Sequence, residues 1–131
     1  MNKEKLPKIF CYLILFLIAF ASLYPALTVK DVQIASDLSF RLDYIFHFLV
    51  YCLLGVSLLL WKGGPGSKFR NYLFIFTFGI IYSSIFEMIQ YFLPSRTMNP
   101  FDMLSNFLGF ITGSLLGYLF LALKNAPVFS E

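Results

Sequence analysis

Charge is what this chain has least of. Only 13% of its 131 residues are Asp, Glu, Lys or Arg, against about a quarter in an ordinary soluble domain. That deficit excludes a soluble globular protein, and a mean hydropathy of +0.76 points the same way. The basic residues form no stripe and carry no RNA-module aromatic pattern, so nucleic acid is not an expected partner. The two cysteines, Cys11 and Cys52, fall at different depths of an apolar chain and lack metal-ligand spacing, so neither a disulfide nor a thiolate metal site is expected. HExxH and comparable paired spacings are missing, which argues against a metal site. No serine occupies a strained nucleophile elbow, which weakens a Ser-His-Asp hydrolase reading. No cofactor is expected. Period-2 alternation, internal repeats and low-complexity segments are also missing, which excludes a membrane β-barrel and a repeat array.

Apolar length fills the space that charge leaves. Crossing the hydrocarbon core as a helix takes about 20 apolar residues, and four windows reach or approach that length: Ile9 to Leu27, Tyr44 to Trp61, Tyr72 to Phe92, and Phe101 to Leu123. They use nearly the whole chain, so residues 1–131 are read as one transmembrane domain. Short links between successive spans predict an all-α fold, an antiparallel four-helix bundle in a membrane. Residues 28–43 form the only sizeable polar connection, and the Gly/Pro-rich stretch 62–71 reads as a turn. In this arrangement Lys3, Lys5, Lys8, Lys62, Lys68, Arg70 and Lys124 share one side, while Lys30, Arg41 and Arg96 share the other. The positive-inside rule then puts both termini in the cytoplasm. A basic start followed by an apolar stretch and Ala19-Phe20-Ala21 imitates a cleavable signal peptide. Apolarity runs on through Leu23, Tyr24 and Leu27, which favours a retained anchor.

The few polar residues inside the spans recur at helical spacing. Asp43, His47, Tyr51 and Gly55 line one face of the second span. Ser83, Glu87 and Gln90 share a face of the third, and Asp102, Asn106, Gly109, Gly113 and Gly117 share a face of the fourth. At 1.5 Å per residue, His47 lies about 5 Å below Tyr44, Glu87 about 10 Å beneath Pro94, and Asn106 about 7 Å past Phe101. Three stripes therefore carry polar groups to a similar depth on the outer side. Gly109, Gly113 and Gly117 form a small-xxx-small pattern that lets a neighbouring helix approach closely. Ionisable side chains at membrane depth are costly. The bland alternatives are a buried Glu87–Arg96 ion pair and a packing histidine bonded to Asp43 one turn away.

These residues carry a family resemblance. Asp43-x3-His47-Phe48-x2-Tyr51 with Gly55 following, Glu87-x2-Gln90, Pro94-x-Arg96, and Asp102-x3-Asn106-x2-Gly109-x3-Gly113 together resemble the VanZ-like family of small bacterial membrane proteins, over about residues 25 to 120. Tyr44 stands where the family often has a lysine after the aspartate. The resemblance implies an integral protein of the bacterial cytoplasmic membrane and cell envelope. It also implies a family-level tie to resistance to the glycopeptide teicoplanin.

The leading expectation is an outward-facing polar pocket built from Asp43, His47, Tyr51, Glu87, Gln90, Asp102 and Asn106. Its expected partner is membrane lipid, with an anionic or lipid-linked head group held by the Arg96 guanidinium. A membrane enzyme acting on lipid or peptidoglycan precursors would use His47 or Glu87 as general acid or base. A small transporter fits less well, because alternating access favours sites near the midplane. A fourth reading is an assembly partner docking through the glycine stripe.

Overall fold

The computed structural model describes residues 5–23, 31–35, 38–93 and 99–125. Four helices carry the fold: α1 (Lys5–Leu23), α2 (Leu42–Lys62), α3 (Phe69–Tyr91) and α4 (Pro100–Lys124). All four are long and apolar enough to cross a membrane. At 1.5 Å per residue the shortest of them extends about 28 Å, close to the thickness of a hydrocarbon core.

Two boundaries differ from the expectation drawn from hydropathy. α1 begins at Lys5, not Ile9, because Lys5 and Lys8 lower the hydropathy of that turn without preventing helix. Pro7 sits in the first turn, where its missing N–H would have had no acceptor anyway. The polar connection at 28–43, expected to be only a linker, contains a hairpin of β1 (Asp31–Ala35) and β2 (Leu38–Arg41). Its strands pair antiparallel, Val32 opposite Phe40 and Gln33 opposite Ser39. The stretch Val32-Gln33-Ile34 alternates apolar and polar residues, as does Leu38-Ser39-Phe40, which suits a short pleated pair.

The tightest helix pair is α2 with α4, and it is glycine that allows it. A methyl group on Gly109 would strike the Phe48 carbonyl, and one on Gly113 the Cys52 carbonyl. In return, a methyl on Gly55 would strike the Phe110 carbonyl and lie 2.8 Å from the Ser114 nitrogen. The contacts climb both helices together, so α2 and α4 run in the same direction with backbone against backbone.

Helix α3 sits across this pair. Gly79 receives the Phe110 ring. Tyr72 stacks edgewise on Tyr118 at 6.5 Å between centroids, farther along α4. Polar bonds tie α3 to α1: the Tyr82 hydroxyl donates to the Leu15 carbonyl at 2.5 Å, and Gln90 Nε2 to the Ser22 carbonyl at 3.4 Å. Between α2 and α3 the chain turns through Gly64 and Gly66, both at positive φ (108° and 83°), where a side chain would be strained. Tyr72 and Asn71 brace that turn by donating to the Gly64 and Lys62 carbonyls.

Burial is inverted relative to a water-soluble protein. Glu87 is 1% exposed, whereas Phe69 and Phe92 are 78% and 77% exposed. Only one stripe of each helix faces inward, on α3 the sequence Ile75, Gly79, Ser83, Glu87, Gln90. So much exposed apolar surface suits lipid or a protein partner in place of water. Both cysteines are free, Cys11 buried near Ser57 and Cys52 half-buried on α2.

Two outcomes follow. Gly113→Ala should destabilise the protein by about 1–3 kcal/mol, the usual range for overpacking. Gly117→Ala, whose nearest neighbours would be 3.3 Å away, should cost well under half of that. Unfolding in mild detergent reads both. The α1 bonds to Tyr82 and Gln90 argue for a retained first helix, so an intact mass of membrane-purified protein should include the residues before Ser22. A mass beginning at Ser22 would contradict this.

Candidate functional site

The polar side chains gather where α2 and α4 begin and α3 ends. Asn99 caps α4: its Oδ1 accepts from the Phe101 N–H at 3.0 Å, Pro100 takes the first helical position, and Asp102 lies in the first turn. This is a favourable helix start, with a side-chain acceptor for a free N–H and a carboxylate at the positive end of the helix dipole. Asn99 Nδ2 also reaches the Tyr44 hydroxyl at 3.2 Å and Asp102 Oδ1 at 3.4 Å. Tyr44 thereby links the start of α2 to the start of α4.

One turn deeper, three helices contribute to a continuous chain. His47 Nδ1 on α2 is 2.8 Å from Asn106 Oδ1 on α4. Asn106 Nδ2 donates to Glu87 Oε1 on α3 at 3.0 Å. His47 Nδ1 and Glu87 Oε1 are themselves 3.8 Å apart. Glu87 and Asn106 are almost completely buried, while 18% of the His47 side chain stays accessible. The tight glycine contact explains the geometry: Gly109 against Phe48 brings Asn106, one turn before Gly109, beside His47 on α2.

The remaining expected residues distribute around this chain. Tyr51 is buried, and its hydroxyl looks toward Ser83 and Glu87 without closing a hydrogen bond to a described residue. Asp43 and Asp102 are buried at the ends of their helices. Gln90 is buried too, but its amide turns to α1 and the Ser22 carbonyl. His47 crosses to α4 and does not bond Asp43 on its own helix. Arg96, with Pro94, lies outside the described residues, and with it the alternative of a Glu87–Arg96 ion pair. Among the described residues, no three His, Cys, Asp or Glu side chains form a metal-binding group.

Sequence reasoning missed Asn99, Tyr44 as a bonding partner, and the α1 carbonyls. The Asn-Pro-x-Asp order of residues 99–102 is a helix-start signature that would have found the first. Nothing in the sequence marks a backbone carbonyl as an acceptor.

A family model described as VanZ/LLP1 matches residues 7–121. The chain belongs to the VanZ/LLP1 family. The match begins in α1, well before residue 25, so the first helix is part of the family domain. With four helices able to span a bilayer, this VanZ/LLP1 member is a multi-pass membrane protein. No curated protein and no solved structure matches it.

The chain of bonds makes a stability prediction. Asn106→Leu removes the amide that donates to a buried carboxylate, and should cost about 1–3 kcal/mol or more, the penalty for stripping a buried polar group of a partner. The double variant Glu87→Leu with Asn106→Leu should regain at least half of that loss, because both polar ends are then gone. Equilibrium unfolding in detergent measures both, and additive losses would show that the two side chains are not coupled.

Proposed function

We propose that this protein uses the polar end of its bundle, facing outward from the bacterial cytoplasmic membrane, to bind an anionic lipid or lipid-linked head group. The single observation behind the reading is the His47–Asn106–Glu87 chain, assembled from three helices at one depth and left partly open at His47. A bundle this small could be held more cheaply by apolar residues, since replacing buried polar networks with packed hydrophobic ones is often neutral or stabilising. An ionisable group inside the membrane is costly enough to make a functional role the first hypothesis.

Charge distribution supports the outward direction. Lys8 and Lys62 lie over the Trp61 ring at 5.8 and 4.5 Å, and Tyr12 packs on Trp61 at 5.6 Å. Aromatic rings with lysines at one end of the spans are the mark of a membrane interface, and the basic excess favours the cytoplasm for that end. The opposite end then carries Asp43, Glu87 and Asp102 and, in sequence, Arg96. We assign Arg96 the anion, because a guanidinium holds phosphate or carboxylate through paired N–H bonds. A factor that holds a lipid-linked envelope component also fits the family-level tie to teicoplanin resistance.

Arg96→Ala should weaken binding of phosphatidylglycerol in nanodiscs about tenfold or more, in keeping with the loss of a charge-assisted hydrogen bond. The protein should remain folded in the membrane. Titration with native mass spectrometry supplies the affinity, and circular dichroism the fold. Wild-type affinity in the variant would sink the assignment, and disappearance of the variant from membranes would give Arg96 a structural role instead.

A further inference from the structure

The Asn106 amide has two neighbours that constrain it differently. Its Nδ2 faces Glu87 Oε1 at 3.0 Å and its Oδ1 faces His47 Nδ1 at 2.8 Å. An ionised carboxylate only accepts, so with Glu87 charged the amide presents its N–H to it. That leaves the amide carbonyl toward His47. A carbonyl also only accepts, so Nδ1 must carry the hydrogen. Glu87 Oε1, 3.8 Å from the same nitrogen, favours a proton there as well. A neutral imidazole has a single N–H. The ring is thereby held with its lone pair on Nε2.

That nitrogen belongs to the one member of the chain that opens outward. The His47 side chain is 18% accessible against 2% for Glu87, and Nε2 makes no hydrogen bond to a described residue. We infer that the Glu87–Asn106–His47 chain presets His47 Nε2 as an acceptor that reads a hydroxyl on the bound head group. The inference rests on the head-group reading above and narrows its ligand to phosphate esters that bear a hydroxyl, such as glycerol or sugar head groups. A lone pair backed by a carboxylate repels a phosphate, so the anion binds elsewhere and His47 selects for the donor beside it. His47 is here a specificity residue, and no bond is made or broken.

The chain has a single histidine, so its ring nitrogens can be observed without assignment. In protein carrying 15N-labelled histidine in nanodiscs at about pH 7.5, the spectrum should show a protonated Nδ1 and an unprotonated Nε2. A ring protonated on Nε2, as the other neutral tautomer or as imidazolium, would overturn the inference. The second arm compares nanodiscs containing phosphatidylglycerol with nanodiscs containing phosphatidylmethanol, which has the same phosphate charge and no hydroxyl. Wild-type protein should bind phosphatidylglycerol about fivefold more tightly, the equivalent of one neutral hydrogen bond. His47→Phe should remove that difference. Equal binding of the two lipids by wild type would overturn the hydroxyl selection and leave the head-group reading standing. Saturable binding of neither lipid would defeat the head-group reading itself.

Discussion

The polar chain at the end of this bundle depends on the close approach of α2 and α4. In lipid there is no hydrophobic force to drive helices together, because acyl chains are as apolar as leucine. Association must come from contact. Gly55, Gly109 and Gly113 supply it by removing side chains from three places where backbone meets backbone. The hydrogen bond between His47 and Asn106 lies one turn along from the Gly109–Phe48 approach, so the same contact sets its geometry. The packing stripe and the polar site are one stripe continued upward, glycine below and Asn106 with Asp102 above.

How much of this was legible in the sequence follows from what periodicity can encode. Apolar length fixed four helices, and the i, i+4 recurrence on α2, α3 and α4 identified which side chains turn inward. His47, Glu87 and Asn106 meet because their depths, counted from the ends of the runs, agree. Periodicity identifies a face and not the neighbour that meets it. Gln90 is three residues past Glu87, so it points about 60° away around the helix. That rotation suffices to direct it to Ser22 on α1 and out of the histidine chain. The hairpin was hidden because four or five residues of alternation are a weak signal beside twenty of continuous apolarity. Lys5 was excluded from α1 for its charge, although a helix end at the interface lets a lysine reach water.

The two kinds of helix contact in this VanZ/LLP1 protein divide the work. Glycine packing joins α2 to α4 through backbone contact that no rotamer change can undo. Helix α3 is held differently: Glu87 to Asn106, Tyr82 to Leu15, Gln90 to Ser22, and an aromatic ring seated at Gly79. Hydrogen bonds between membrane helices are worth modest energies each, roughly 0.6 to 2 kcal/mol. Several are therefore needed to hold one helix, and they are spread along α3 at residues 82, 87 and 90.

Glu87 consequently serves two ends at once. Its carboxylate orients Asn106, which orients His47, and the same bond fastens α3 to α4. A residue in that position cannot report function cleanly, because its removal disturbs the site and the bundle together. His47 differs. It is the terminal member of the chain, partly exposed, and among the described residues its ring is bonded through Nδ1 alone. Structure therefore ends at Nδ1 and recognition can begin at Nε2. Glu87 and Asn106 are equally buried, and the exposure rises only at His47, the member on which the proposed recognition rests. That order is what a site built on a structural network requires.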